Sequence, residues 1–294
     1  MTEQLRVGRR EVAISHPDRV VFPRAGLTKL DLARHYERVG EAMAPLVAGR
    51  PLALEAFPSG IDSDGFFMKA VPGHFPDWIS RATVPKRGGS VTHALADDAA
   101  TLVYLAGQNV VTPHLWLSRA DQPRRPDRLI IDLDPSPGGR FADVRAAARE
   151  TGERLTAAGL VAFAMATGSR GLHVVCPLRR GAAFDEAHAF ARSLAEEMVS
   201  ERPTKLTLEW RRADRGSKIY LDVNRNAYAQ HAVAPYAVRA RERAPVATPL
   251  DWEELSDAKL KPDRWTIKTI AKRLDAEGRP WRGMARRARA LPGA

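Results

Sequence analysis

The sequence predicts an α+β protein: a ferredoxin-like βαββαβ core preceded by an irregular N-terminal α+β subdomain. Two observations predict it. From Leu129 to Glu209, short apolar runs and two helical segments alternate in the order strand, helix, strand, strand, helix, strand. Before about residue 125, the apolar runs are short and interrupted by Pro72, Pro76, Pro85 and the pair Gly88–Gly89. The chain accordingly divides into an N-terminal subdomain (1–125), a core (126–250) and a C-terminal helical extension with a basic tail (251–294).

The first helix starts at Thr28, where Asp31 three residues on completes a capping pair. Leu32, Tyr36, Val39, Met43 and Val47 recur at helical spacing, and Gly49 closes the segment. In the core, Leu129–Leu133 reads as a strand and the Pro/Gly-rich stretch 135–139 as a turn. Phe141–Ala158 reads as a helix ending at Gly159. Leu160–Ala166 and Leu172–Leu178 read as strands joined by the turn Thr167–Gly171. Phe184–Val199 is helical, and Leu206–Glu209 and Lys218–Val223 are strand candidates. The tail from Trp281 onward is basic and expected to be partly mobile.

Lys and Arg outnumber Asp and Glu by 46 to 35, a formal charge of +11. That surplus favours a polyanionic partner through counterion release, although charge alone also fits a soluble basic protein. One cysteine, Cys176, excludes an internal disulfide and a cysteine-rich zinc site. The N-terminus lacks the apolar run of a signal peptide and no segment has membrane-spanning length, so the expected setting is the cytoplasm, near the nucleoid, with no membrane partner.

The chemistry is carried by aspartates. Strand alternation puts Ile130, Asp132 and Asp134 on one face of their strand, with residues two apart about 6–7 Å from each other. Two carboxylates so placed can converge on divalent ions roughly 4 Å apart, the arrangement phosphoryl transfer uses. Oxygen ligands suit Mg²⁺ or Mn²⁺. An Asp-x-Asp that merely ends a strand is common, but in Lys218–Val223 alternation places a third, Asp222, on a polar face with Lys218 and Tyr220. The turn Thr167-Gly168-Ser169-Arg170-Gly171 adds glycines, hydroxyls and a cation, the ingredients of a phosphate contact or of an ordinary hairpin, and His173 follows it.

With these residues in place, the sequence resembles the polymerase domain of bacterial nonhomologous end-joining DNA ligases (the LigD type), in the archaeo-eukaryotic primase superfamily. The resemblance runs from Arg9 to about Leu274 through the ordered blocks HPDRVVFPRAGLTKLDLARHY, GRPLALEAFPSGIDSDGFFMK, PHLWLSR, LIIDLDPS, TGSRGLH, KIYLDVNRN and APYAVRAR. It implies a nucleotidyltransferase that extends primer 3′ ends and fills short gaps with NTPs or dNTPs, using two Mn²⁺ or Mg²⁺ ions. Asp132, Asp134 and Asp222 would be the metal triad, with His114 a catalytic residue near the incoming nucleotide and metal. Thr167, Ser169, Arg170 and His173 match the phosphate turn, and Arg215, Lys218, Arg225 and Arg239 match further groups around the triphosphate. Phe66, Phe67 and Lys69 match a template contact, with one ring of the pair expected to face out, and His16, Arg19 and Lys29 match a pocket for the 5′-phosphate across a gap. The chain departs from the family pattern at His16, usually Asn, at Arg19, usually Lys, at Thr167, usually Ser, and at Arg225, often Gln. Gapped or overhanging DNA would be the partner and, by analogy, so would a Ku-type end-binding protein and a separate ligase. No ligase or nuclease segment is recognisable, so a free-standing polymerase is expected.

Three alternatives stay open on the residues. A de novo primase shares the fold, but many primases carry a cysteine-rich zinc module. A metal-dependent nuclease or phosphohydrolase would use the same aspartates. A non-catalytic nucleic-acid-binding module on a ferredoxin-like sheet has no need of them.

Overall fold

The structure, a computed structural model, describes residues 1–277 and 280–293. It falls into two compact units that interleave along the chain: unit 1 takes 1–116, 231–247 and 265–279, and unit 2 takes 117–230, 248–264 and 280–294. The sequence pattern divides the chain at 125 and 250 instead. The difference arises because later segments return to complete earlier sheets, which local periodicity does not encode.

Unit 1 opens with three short strands and a fourth: β1 (Thr2–Val7), β2 (Arg10–Ser15), β3 (Val20–Phe22) and β4 (Leu27–Thr28). Helix α1 (Lys29–Val47) follows, with both halves of the Thr28/Asp31 capping box formed. Its inner face, Leu32, Tyr36, Val39, Met43 and Val47, is at most 1 % exposed. Next come β5 (Leu52–Ala56), β6 (Phe66–Met68), β7 (Arg81–Lys86), β8 (Gly89–Ala94), helix α2 (Ala99–Gly107) and β9 (Val110–Trp116). The region expected to be irregular is thus built of hairpins and a sheet. Gly88, at φ 74°, turns the β7–β8 hairpin, and Pro85 is tolerated because the ribbon has only two strands.

Unit 2 holds β10 (Arg128–Pro135), helix α3 (Phe141–Ala157), β11 (Phe163–Ala166), β12 (Leu172–Pro177), helix α4 (Phe184–Glu201), β13 (Leu206–Thr207) and β14 (Ile219–Asp222). Two further strands, β15 (His231–Val233) and β16 (Thr248–Leu250), belong to unit 1 and unit 2 respectively, and helix α5 (Ile270–Glu277) to unit 1. The unit 2 sheet has the order β13-β14-β10-β12-β11-β16, antiparallel except for the β13–β14 pair. A plain βαββαβ core would place β13 beside β10. Here β14 enters between them, so the strand bearing Asp222 pairs directly with the strand bearing Asp132 and Asp134. Helices α3 and α4 pack against β10 through small side chains, Ala147 and Ala148 on one and Ala187 and Ala191 on the other, all nearly inaccessible. Leu129, Ile131 and Leu133 of β10 are completely buried, as their alternation with the aspartates requires.

In unit 1, β15 returns to pair with β9, giving a four-stranded sheet of order β15-β9-β5-β6. The C-terminal segment is docked, contrary to the expected mobility. Trp281, Met284 and Leu291 are at most 4 % exposed, Trp281 donates to the Ala164 carbonyl at 3.0 Å, and the Arg179 amide donates to the Arg289 carbonyl at 2.7 Å. Three apolar anchors spaced among the arginines hold it. The last residue, Ala294, lies outside the described residues, as do 278 and 279 within the expected C-terminal extension.

Candidate active site

Register puts the acidic groups of unit 2 in one row. Asp132 stands opposite Asp222 on one side and opposite His173 on the other, so Asp222, Asp132 and His173 span three adjacent strands. Asp134 lies two residues along β10, across from Tyr220. Gly171 makes the next turn possible: a Cβ there would sit 2.2 Å from the Leu133 carbonyl and 3.0 Å from Asp134 Oδ1. Only a glycine lets the turn pass this close to the carboxylate.

Asp132 and His173 are buried, Asp134 and Asp222 half-buried, and like charges crowd together in the row. Asp132 is 6 % exposed and His173 is 3 % exposed, with His173 Nε2 at 3.4 Å from Asp132 Oδ1. Arg225, on the short helical turn after β14, places Nε 3.5 Å from Asp132 Oδ2 and 3.4 Å from Asp222 Oδ2. Burial and the neighbouring Asp132 charge push the Asp134 carboxyl up to about 6, against the pull of Arg170, His173 and Arg225. Asp222 is held in turn. The Asn224 amide donates to its Oδ1 at 2.9 Å, the Tyr220 hydroxyl approaches the same oxygen at 3.4 Å, and the Asn224 side chain donates to that hydroxyl at 3.2 Å. Asn226, buried, brackets β10 by accepting from the Ile130 amide at 2.9 Å and donating to its carbonyl at 2.7 Å. Sequence pattern singles out neither asparagine; their signal lies in the block KIYLDVNRN.

Among the described residues no group of three or more His, Cys, Asp or Glu side chains is already gathered into a metal cage. The donor chemistry nevertheless fits hard divalent cations: three carboxylates on two adjacent strands, with Arg225 bridging two of them and the third pushed toward protonation by burial and by its neighbour. Asp132, Asp134 and Asp222 are the residues that would hold such ions.

The other expected nucleotide contacts divide. Ser169 is part-exposed and Arg170 exposed on the glycine turn, which Gly168 closes at φ 67°. Thr167 is 5 % exposed, and its hydroxyl organises the turn by donating to the Gly171 carbonyl at 3.0 Å and accepting from its amide at 3.3 Å. Arg215 likewise serves the fold. Its guanidinium stacks 3.7 Å from the Tyr220 ring centroid and donates to the carbonyls of Glu209 and Trp210 at 2.7 and 2.5 Å. Lys218 lies just outside β14, part-exposed.

Unit 1 carries a second cluster. His114 on β9 sits with Nε2 3.7 Å from Glu55 Oε2, and its ring packs edge-on against Phe67 at 5.3 Å and His231 at 5.1 Å. Burial raises the Glu55 carboxyl, but the opposing pull of His114 and then Arg239 wins and holds it below its usual range. Phe66 and Phe67, on edge strand β6, are 52 % and 47 % exposed, so both rings, not one, face water in part; Lys69 just beyond is exposed. His231 and Glu55 carry no sequence signal of their own, because only the pairing of β15 and β5 with β9 brings them to His114.

The remaining trio, also in unit 1, is brought together by backbone bonds: the Arg19 amide donates to the His16 carbonyl, and the Lys29 amide to the Arg19 carbonyl. His16 adopts φ 50°, a left-handed conformation that suits the asparagine common at this position in the resembling family. Arg19 donates to the Pro58 carbonyl at 2.8 Å. Lys29 is 1 % exposed, with Nζ 3.3 Å from the Gly107 carbonyl and 3.4 Å from Ser15 Oγ; burial, then the Arg19 charge, lowers its pKa.

Comparison with known proteins shows the family and the fold. Residues 28–281 match the family described as LigD, primase-polymerase domain. The multifunctional non-homologous end joining DNA repair protein LigD of Mycobacterium tuberculosis is 33 % identical over 260 residues, covering 86 % of this chain and 34 % of that protein. The Pseudomonas aeruginosa multifunctional non-homologous end joining protein LigD is 30 % identical over 277 residues, covering 92 % of this chain and 32 % of its own length. The chain thus spans about a third of these relatives. Among solved structures, the polymerase domain from Mycobacterium tuberculosis ligase D in complex with DNA superposes with a TM-score of 0.89 and 30 % identity, over 94 % of this chain and 99 % of that one. The chain belongs to the LigD primase-polymerase domain family.

Proposed function

We propose that this protein is a DNA-directed nucleotidyltransferase that extends primer 3′ ends and fills short gaps with NTPs or dNTPs in DNA end joining or gap repair. The observation that carries the reading is the acidic row, with Asp222 and Asp132 opposite one another on paired strands and Asp134 raised to about 6 beside them. Buried carboxylates forced together are costly to a fold, and phosphoryl transfer is a use that repays them. Divalent cations held there, Mn²⁺ or Mg²⁺, would supply activation of the 3′-hydroxyl and neutralisation of triphosphate charge.

The chain's own residues do the rest. His173 and Arg225 hold Asp132 in place. Ser169 and Arg170, at the mouth of the glycine turn, orient the triphosphate, and Arg225 is the cation nearest to developing charge. His114, seated by Glu55, contacts the incoming nucleotide, and Phe66, Phe67 and Lys69 support the template. His16 and Arg19 meet a downstream 5′-phosphate, with the buried Lys29 adding positive potential from behind. DNA is the partner, and a Ku-type end-binding protein and a ligase activity would act on the same ends.

Primer extension on a gapped duplex with a downstream 5′-phosphate and Mn²⁺ tests this. Template-matched addition by the wild type, lost in Asp132→Ala/Asp134→Ala while DNA binding survives, is the expected result. Shortening of the primer would instead indicate a nuclease, and tight binding with no addition of either nucleotide type would indicate a binding module.

A further inference from the structure

Between β13 and β14 of unit 2 lies an aromatic that the proposed chemistry does not use. Trp210 is 68 % exposed, an unusual setting for the largest side chain. It is not on a loose loop. Arg215 binds the carbonyls of Glu209 and Trp210 while stacking on Tyr220, which fixes the backbone beneath the indole to the strand that carries Asp222. The Glu209 amide donates to Thr207 Oγ1 at 3.0 Å, and the Arg211 amide to Glu209 Oε1 at 3.0 Å. One of the segment's two carboxylates is thereby turned toward backbone, and Arg211 and Arg212, which follow the tryptophan in sequence, are exposed. The Arg211 guanidinium lies 5.5 Å from the indole centroid.

A rigidly presented aromatic face flanked by exposed arginines is the chemistry that binds unpaired bases: the ring stacks on a base while the cations follow the phosphates. We propose that Trp210, Arg211 and Arg212 form a stacking platform for an unpaired base of single-stranded DNA. The platform is held in register with the acidic row through Arg215 and Tyr220. From the function proposed above it takes only the identity of the polyanion, DNA.

The test is equilibrium binding, by fluorescence anisotropy, of labelled duplexes carrying either a thymidine 3′ overhang or an abasic overhang of equal length, without nucleotide or divalent cation. Trp210→Ala should weaken binding of the thymidine overhang about tenfold and leave the abasic overhang unchanged, and Trp210→Phe should restore most of the loss. Wild-type affinity of Trp210→Ala for both overhangs, or equal weakening of both, overturns the proposal and leaves the indole to a protein partner. Because no catalysis is measured, base-dependent binding without primer extension would sustain this platform while removing the polymerase reading.

Discussion

The acidic row of unit 2 and the histidine face of unit 1 are both half-hidden polar clusters on antiparallel sheets, yet they are balanced in opposite ways. In the row, carboxylates lie next to carboxylates, and Asp134 rises to about 6 because burial and Asp132 both oppose its charge. On the histidine face a carboxylate meets a histidine and an arginine, and Glu55 is held low by His114 and Arg239 despite its burial. The first cluster crowds like charges that a cationic ligand would neutralise; in the second a carboxylate is drawn down by the groups beside it. A site that crowds like charges is where removing a residue should change chemistry most, and one whose carboxylate is drawn down by its neighbours is where it should change positioning.

The largest expected effect follows from that contrast. Asp222→Asn should lower the rate of nucleotide addition by roughly a thousandfold or more, several kcal/mol of transition-state stabilisation, with DNA affinity retained. His114→Ala should cost about ten- to a hundredfold, seen mainly as a higher KM for the nucleotide. Single-turnover extension with the two variants in parallel checks both, and equal losses would erase the distinction. Next in size is Gly171→Ala. A methyl 2.2 Å from the Leu133 carbonyl must displace the turn or the strand, so denaturant unfolding should show a loss of about 2–3 kcal/mol. A Cβ accommodated without cost would mean that the turn keeps a greater distance from Asp134.

Asp134→Asn should act oppositely on stability and on activity. A carboxyl at about 6 in the fold, against roughly 3.9 when unfolded, favours its neutral form, so its contribution to stability is full below about pH 4 and is lost as pH rises through 6. With chelator present, the asparagine variant should therefore be more stable than wild type at pH 7.5, by about 1–2 kcal/mol, and no more stable at pH 4. A difference independent of pH would contradict the like-charge account. The smallest effect is expected at Phe67→Ala. It should weaken binding to a template with an unpaired base by about 1–2 kcal/mol, since one partly exposed ring is removed and Phe66 remains beside it.

Much of the acidic row is legible in the sequence itself. Alternation alone places Asp132 with Asp134 and sets Asp222 on a polar face, because period-2 geometry is local. The insertion of β14 between β13 and β10 is not legible there, since strand order is decided by long-range pairing and not by any one segment. For the same reason Glu55 and His231 carry no local mark: they lie 59 and 117 positions from His114 and meet it only across paired strands. Thr167 and Arg215 are expected as ligand contacts, and the structure adds a role that the sequence does not show: both donate to backbone carbonyls that shape their turns. A hydroxyl beside glycines and an arginine in a loop have the same signature whether they face a phosphate or a backbone carbonyl. The docked tail is hidden in the same way, because its arginines dominate its composition while Trp281, Met284 and Leu291 do the anchoring.

Direct measurement of Mn²⁺ binding tests the central claim that crowded like charge marks the catalytic cluster. Titration followed by electron paramagnetic resonance should show that wild type and His114→Ala bind the ion alike and that Asp132→Ala/Asp222→Ala does not. Undiminished Mn²⁺ binding by the aspartate variant, or its loss in His114→Ala alone, would place the ion elsewhere and contradict the account.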